Sequence, residues 1–140
     1  MDQLIEFATN HPFLVSLFFI LLFLLIQTSL SSASGIKSVS PFEATSLVNH
    51  ENAIIIDIRE STEFDKGHIL NSLHIPPSSI NDQLNKLKKN VDKPVIVSCN
   101  SGHRSRGVCK QLLKNGLTKV YNLDGGILAW QNANMPISKI

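Results

Sequence analysis

A cysteine followed by a short glycine-containing segment is the part of this sequence best suited to chemistry. Cys99 begins the segment Cys99–Arg104 (CNSGHR), which leaves an apolar run and enters a helical pattern. At such a junction backbone N–H groups converge on the sulfur, and the helix N-terminus and Arg104 both favour negative charge. Gly102 permits backbone angles that other residues resist. The pattern predicts a nucleophilic thiolate with a lowered pKa.

The other reactive side chains have weaker patterns. His103 could tune the thiolate or face solvent, and solvent is favoured because the loop already supplies the anion-binding groups. Cys109 lies inside the following helical pattern, which favours a buried structural thiol over a resolving cysteine. The spacing of the two cysteines matches neither a CxxC pair nor a zinc-ligand set, and His68 has no partner at ligand spacing. We therefore predict neither a metal nor a cofactor.

The elements around Cys99 predict an α/β fold with a mainly parallel central sheet and helices on both faces. Short β-branched runs alternate with helical patterns along this part of the chain. The predicted strands are 53–58, 72–75, 95–98 and 119–123, and the predicted helices are 41–48, 79–88, 105–115 and 127–130, with one helical turn at 61–64. Ligands of open parallel sheets bind beyond the carboxyl ends of the strands, where Cys99 is expected to lie.

The N-terminal residues predict a transmembrane helix ahead of this fold. The run Phe13–Ile26 is interrupted only by Ser16, and with its flanks it reaches about 20 residues, enough to cross a bilayer. A cleaved secretory signal with Ser31–Ala33 at the cleavage site is the rival interpretation, but no basic residue precedes the run. A buried core helix is disfavoured because the run is apolar all round.

The distribution of charge sets the expected orientation. All 13 Lys and Arg residues lie at or after Lys37, and segments rich in these residues stay on the cytoplasmic side of a membrane. We therefore expect the N-terminus outside and the following domain in the cytoplasm. The predicted organisation is a membrane anchor at 1–30, a flexible tether at 31–36 and an α/β domain at 37–140.

Composition excludes several other classes of protein. The chain has 140 residues, of which 43% are hydrophobic and 17% charged, with a net charge of +2. That is room for one domain of ordinary size, and it excludes wholesale disorder. The small positive charge gives no reason to expect nucleic-acid binding, and two cysteines cannot form a disulfide scaffold.

The predicted domain resembles the rhodanese family of sulfurtransferases in four segments that follow one another at family-like spacing. These segments are Ile56–Glu60 (IDIRE), Glu63–Ile69 (EFDKGHI) with Asn71 and Pro76, Cys99–Arg104, and Gly125–Ile127 with Trp130. They cover nearly all of the chain from residue 37 onward, and the resemblance implies a rhodanese-like α/β fold. The chain also resembles the membrane-tethered single-domain rhodanese proteins of bacteria, which implies a single-pass protein of the bacterial inner membrane.

The resemblance implies covalent sulfur transfer. Cys99 would attack the outer sulfur of a donor such as thiosulfate, hold it as a persulfide and pass it to a thiol or to cyanide. The expected substrate-binding residues are Asn100, Ser101, Gly102, His103 and Arg104. Their backbone N–H groups would stabilise the anionic persulfide, and Arg104 would orient an anionic donor.

The resemblance gives the remaining motif residues supporting roles. Asp57 and Arg59 would hold loops near the site, and Glu63 and His68 would do the same, so none is predicted as an acid or a base. Trp130 is expected in the core. The expected partners are a small sulfur donor, a thiol acceptor that is either a small molecule or a protein, the membrane and another membrane protein, with no nucleic acid.

Three other functions stay open. The first is phosphatase activity, because related phosphatases and arsenate reductases share this fold. Their loops have five residues between the cysteine and the arginine, whereas four separate Cys99 from Arg104, and the tighter loop suits a sulfur atom better than a phosphate. The domain could instead be a non-catalytic docking module that binds or helps assemble another membrane protein, because fold does not settle function. Thiol redox sensing through Cys99 is the third, with a sulfenate or a disulfide to Cys109 as its product.

Overall fold

The computed structural model describes residues 2–32 and 35–139. The chain divides into two compact units, Met1–Gly35 and Ile36–Ile140. The helices are α1 (Asp2–Asn10), α2 (Pro12–Ser32), α3 (Pro41–Glu51), α4 (Ser61–Lys66), α5 (Ile80–Lys88), α6 (Arg104–Lys114) and α7 (Gly126–Asn132). The strands are β1 (Lys37–Val39), β2 (Ile54–Asp57), β3 (His68–Ile69), β4 (Leu73–His74), β5 (Val95–Ser98), β6 (Val120–Leu123) and β7 (Ile137–Ser138).

The N-terminal unit corrects the predicted membrane anchor. Within residues 2–32 and 35–139, none of the helices combines the length and the apolar character needed to cross a membrane. At 1.5 Å per residue the apolar run Phe13–Ile26 spans only about 20 Å of the roughly 30 Å hydrocarbon core of a bilayer, and the flank that would extend it, Gln27–Ser29, is polar. The predictions of a transmembrane helix and of a single-pass location in the bacterial inner membrane, with the N-terminus outside and the domain in the cytoplasm, are therefore wrong.

The predicted tether is tested only in part of its length. Ser31 and Ser32 end α2, and Gly35 and Ile36 precede β1. Ala33 and Ser34 lie outside the described residues. The tether at 31–36 accordingly stays a prediction.

A parallel five-stranded sheet forms the centre of the second unit. Its strand order is β1-β6-β5-β2-β4, and every neighbouring pair is parallel. The apolar runs Ile54–Asp57 and Val95–Ser98 occupy central positions, as expected for strands that are buried on both faces. This topology confirms the predicted α/β fold with a parallel central sheet. β3 and β7 form a separate antiparallel pair.

Alternate residues of the central strands face two different apolar clusters. Ile56, Val95 and Val97 pack in one cluster with residues of α5 and α6, whereas Ile55 and Ile96 pack in the other with residues of α3 and α7. Because successive side chains of a strand point to opposite faces, this division places helices on both faces of the sheet.

The strand register brings two sequence motifs to the same edge of the sheet. Asp57, the last residue of β2, lies opposite Ser98, the last residue of β5. The segments that begin at Ile58 and at Cys99 therefore leave the sheet side by side. This edge is the carboxyl end of the parallel strands, where ligand sites of such folds form.

Candidate active site

Cys99 lies at the carboxyl end of the central strand β5 and is completely buried. The chain turns from it through residues 100–103 and enters α6 at Arg104, one residue earlier than the sequence predicts. A buried strand, a short turn and a helix start thus position the sulfur, as the apolar run and the glycine-containing loop indicate.

Hydrogen bonds around the Cys99 sulfur favour its ionised form. The Gly102 N–H donates to Sγ at 3.1 Å, and the Ser105 Oγ lies 3.4 Å from Sγ. Burial is the largest single influence and raises the pKa of the Cys99 thiol, but hydrogen bonds from the Ser105 hydroxyl and from the backbone N–H groups of Ser105, Ser101 and Gly102 outweigh it. The net effect lowers the pKa of Cys99 below its usual value, which increases the thiolate fraction at neutral pH.

Ser105 and Asn122 extend this network beneath the loop. The Ser105 hydroxyl donates to the Asn122 Oδ1, and the Asn122 Nδ2 donates to the Gly102 carbonyl oxygen at 3.2 Å. Both side chains are fully buried. Neither residue was predicted from the sequence. A polar asparagine inside the apolar strand Val120–Leu123 was the available signal, because a buried amide requires partners.

The start of α7 holds the loop from its other side. The Ile127 N–H donates to the Cys99 carbonyl oxygen at 2.9 Å, and the Leu128 N–H donates to the Asn100 carbonyl oxygen at 3.2 Å. Gly126 has a φ of 58°, and a Cβ at this position would collide with the Cys99 carbonyl oxygen. Only glycine fits here, since both the left-handed backbone and the close approach exclude a side chain.

Arg104 is paired with a carboxylate beside the loop. Its guanidinium donates to both Glu63 carboxylate oxygens, at 3.0 and 3.2 Å. This contact lowers the pKa of Glu63 and raises the pKa of Arg104. The guanidinium that the resemblance assigns to an anionic donor is therefore already paired with Glu63, a contact that the sequence motifs do not reveal.

Asp57 and Arg59 brace the neighbouring segment. Arg59 is 5% exposed, and its guanidinium pairs with the Asp57 carboxylate at 2.7 Å while its Nη2 also donates to the Gly67 carbonyl oxygen at 2.8 Å. His74 contacts the Arg59 carbonyl oxygen through Nε2 at 2.7 Å. These contacts tie the end of β2 to the end of α4.

The remaining candidates divide between surface and interior. The side chains of Asn100, Ser101 and His103 are exposed. Trp130 is buried and donates through Nε1 to the Pro136 carbonyl oxygen at 3.0 Å. Cys109 is buried, and this burial raises the pKa of its thiol to about 12.

A metal centre has no candidate among residues 2–32 and 35–139, where no three or more His, Cys, Asp or Glu side chains form a group that could hold an ion. His68 instead contacts the Phe64 carbonyl oxygen through Nδ1 at 3.0 Å and stacks on the Phe64 ring, with centroids 3.8 Å apart.

The parallel sheet and the strand-end cysteine loop together define an α/β domain of the rhodanese type. Residues 40–133 match the family described as the rhodanese-like domain. The chain belongs to this family.

Similar proteins span most of the chain. "Uncharacterized protein YibN" of Escherichia coli (strain K12) is 34% identical over 139 residues, covering 98% of this chain and 97% of that protein. "Thiosulfate sulfurtransferase GlpE" of Coxiella burnetii (strain RSA 331 / Henzerling II) is 34% identical over 102 residues, covering 73% and 92%. The crystal structure of a rhodanese-like domain protein from Staphylococcus aureus superimposes with a TM-score of 0.61 at 32% identity, covering 68% and 91%.

Proposed function

We propose that this protein is a rhodanese-type sulfurtransferase that moves a sulfane sulfur through a persulfide on Cys99. The observation that carries the proposal is the buried Cys99 sulfur, which accepts a hydrogen bond from the Gly102 N–H and lies beside the Ser105 hydroxyl. The similarity to a protein named thiosulfate sulfurtransferase supports it. Four residues between Cys99 and Arg104 favour sulfur over phosphate as the group enclosed by the loop.

The first half of the reaction loads the cysteine. The Cys99 thiolate attacks the outer sulfur of thiosulfate, a bond forms between the two sulfurs, and the sulfur–sulfur bond of thiosulfate breaks to release sulfite. The electron pair of the broken bond leaves with sulfite, so Cys99 then carries a persulfide anion. Backbone N–H groups of the loop, which include those of Ser101 and Gly102, stabilise this negative charge.

The second half returns the cysteine to its starting state. A thiolate acceptor attacks the outer sulfur of the persulfide and leaves as the acceptor persulfide, while the Cys99 thiolate is released. Cyanide would accept the same sulfur and leave as thiocyanate. Because donor and acceptor react in separate steps, ping-pong kinetics are expected.

Intact-protein mass spectrometry tests the proposal. The full chain is incubated with thiosulfate, or with a small-molecule persulfide as a second donor, and is then treated with a thiol. We expect a gain of one sulfur atom that the thiol removes. Cys99→Ser should gain none, whereas the matched control Cys109→Ser should behave as the unchanged protein, since Cys109 is a buried thiol with a raised pKa.

Two results would overturn the proposal. One is a folded, unchanged protein that gains no sulfur from either donor. The other is a Cys99→Ser protein that gains sulfur as readily as the unchanged chain. The first result would favour the docking interpretation of the domain, and the second would place the sulfur on another residue.

A further inference from the structure

A small polar cavity adjoins the Cys99 loop. Its volume is about 190 Å³, and its lining includes Asn100 from the loop, Lys66 at the end of α4, and Ile127 and Gln131 of α7. This volume is below the roughly 300–1,000 Å³ of sites that enclose a drug-sized ligand. The cavity therefore has room for one functional group of a small molecule beside the Cys99 loop.

Arg59 lines this cavity with unused hydrogen-bond donors. Its Nε and Nη2 groups donate to the Asp57 carboxylate and to the Gly67 carbonyl oxygen. Its Nη1 group has no hydrogen-bond partner within the described part of the chain, although the residue is only 5% exposed. Nη1 is not among the buried unsatisfied side-chain atoms of the described residues, so solvent reaches it and its N–H groups are available to donate to a group that enters the cavity.

The charge balance of the lining favours an anion. Arg59 is paired with Asp57, and Glu63 is paired with Arg104, so these four charges compensate one another. Lys66 lines the same cavity and forms no ion pair with any residue that the structure describes. Its ammonium is therefore the uncompensated charge, and the side-chain amides of Asn100 and Gln131 add further N–H donors.

We propose that this cavity is a carboxylate subsite for the thiol that accepts sulfur from Cys99. The acceptor would place its carboxylate against Lys66 and the Nη1 of Arg59 and direct its thiolate toward the neighbouring loop. A carboxylate suits these partners because a guanidinium and an ammonium both donate charge-assisted hydrogen bonds. The assignment of the ligand as an acceptor rests on the proposed function, whereas the anion site itself does not.

A series of three small thiols tests the acceptor preference. We would compare 3-mercaptopropionate, 2-mercaptoethanol and cysteamine, which carry an anionic, a neutral and a cationic end group. For each thiol the value of kcat/KM in a variant is divided by that of the unchanged protein, so that differences in intrinsic thiol reactivity cancel.

Lys66→Gln is expected to lower the preference for the anionic thiol. The ratio of kcat/KM for 3-mercaptopropionate to that for 2-mercaptoethanol should fall roughly two- to five-fold, the range typical of a partly exposed ion pair. Lys66→Glu should lower it further and favour cysteamine. Lys88→Gln is the matched control, since Lys88 is likewise an exposed lysine in the last turn of a helix. An unchanged preference in both Lys66 variants would overturn the proposal.

A binding measurement separates this proposal from the proposed function. The ligand 3-(methylthio)propionate has the carboxylate but cannot accept sulfur, and it is titrated into the full chain while the side-chain amide signals of Asn100 and Gln131 are followed by NMR. Saturable shifts that weaken in Lys66→Gln are expected, and their absence would overturn the site. Binding without sulfur transfer to any thiol would retain the anion site and reject the proposed function.

Discussion

The Ser105 hydroxyl lies between two hydrogen-bonding partners beneath the Cys99 loop. Ser105 donates to the Asn122 Oδ1 in the structure, and the orientation of that amide is set because its Nδ2 donates to the Gly102 carbonyl oxygen. The Ser105 Oγ also lies 3.4 Å from the Cys99 Sγ. In the thiol form the S–H can donate to Oγ, whereas in the thiolate form the hydroxyl proton is the group that can turn to the sulfur.

Replacing Ser105 with alanine should raise the pKa of Cys99. A hydrogen bond to a charged group contributes about 1.5–3 kcal/mol, so the thiolate midpoint should rise by about one pH unit or more. Sulfur uptake should fall most between the two midpoints, where Cys99 is ionised in the unchanged protein and protonated in the variant. It should recover at higher pH. Thiolate absorbance at about 240 nm, followed from about pH 5 to pH 9, measures the midpoint.

The Cys109 thiol does not contribute to this titration. Burial raises the pKa of Cys109 to about 12, so its thiolate does not form in the range measured. The same titration of Cys99→Ser supplies the background. A Ser105→Ala midpoint equal to or below that of the unchanged protein would show that the hydroxyl does not stabilise the thiolate.

Neutralising Glu63 should strengthen the use of thiosulfate as a donor. Glu63→Gln removes the carboxylate that occupies Arg104 at 3.0 Å but retains a side-chain oxygen to accept from the Glu60 N–H, as the capping box requires. The KM for thiosulfate should fall roughly two- to five-fold, since exposed ion pairs are of that strength. Steady-state kinetics with cyanide as the acceptor measure it.

Glu43→Gln provides a matched control for that substitution. Glu43 occupies the equivalent capping-box position of α3, where it accepts from the Ser40 N–H at 2.7 Å. It should leave the KM for thiosulfate unchanged. A KM that rises in Glu63→Gln would instead indicate that Glu63 holds Arg104 in its donor-binding position.

At the scale of elements, the Cys99 loop is held by a helix that follows it by more than twenty residues. The first N–H groups of α7, from Ile127 and Leu128, donate to carbonyl oxygens of the loop. These N–H groups have no partner within their own helix. The loop carbonyls therefore satisfy α7, and α7 in turn fixes the loop.

Gly126→Ala should separate these two elements. The added Cβ would meet the carbonyl oxygens of Cys99 and Asn100, and the left-handed backbone adds a cost of about 1–2 kcal/mol. We expect a lower urea midpoint together with a loss of sulfur uptake. Gly107→Ala is the matched control, because its Cβ would meet nothing within 4 Å and should stabilise α6 by up to about 1 kcal/mol. Equal midpoints for the two variants would contradict the role of α7.

The longer helices and strands of the α/β domain could be predicted because their hydrophobic and capping patterns extend over enough residues to be recognised. The apolar run Val95–Ser98 and the capping box at Ser40 each occur where expected. The strands β1, β3 and β7 have three residues or fewer, which is too short for a periodic pattern, and β3 and β7 pair across distant parts of the chain. The loop was likewise predictable from Cys99 and Gly102, whereas Asn122 enters the site only through tertiary packing.

At the scale of the whole molecule, the apolar clusters and the sheets belong to one of the two units. Both apolar clusters and all strands of both sheets lie within residues 36–140. The division of the chain into Met1–Gly35 and Ile36–Ile140 follows the same boundary. Each unit therefore forms its own set of internal contacts.

The fragment 36–140 should fold without the N-terminal unit. Its thermal unfolding midpoint and its Cys99 thiolate midpoint should match those of the full chain, as measured by circular dichroism and by thiolate absorbance. The fragment 41–140 is a comparison that also lacks β1, whose Val39 is buried and which pairs with β6; it should unfold at a lower temperature. A fragment 36–140 that is unfolded at room temperature would contradict this prediction.

The complete burial of Cys99 also sets the regiochemistry of the proposed second step. A persulfide offers two electrophilic sulfurs, and attack on the inner one would give a mixed disulfide with the acceptor and release hydrosulfide. The inner sulfur is the enclosed Sγ, with the residue 0% exposed, whereas the outer sulfur extends about 2 Å beyond it. Access then directs the incoming thiolate to the outer atom, so that each turnover delivers sulfur to the acceptor and avoids a dead-end adduct on the protein.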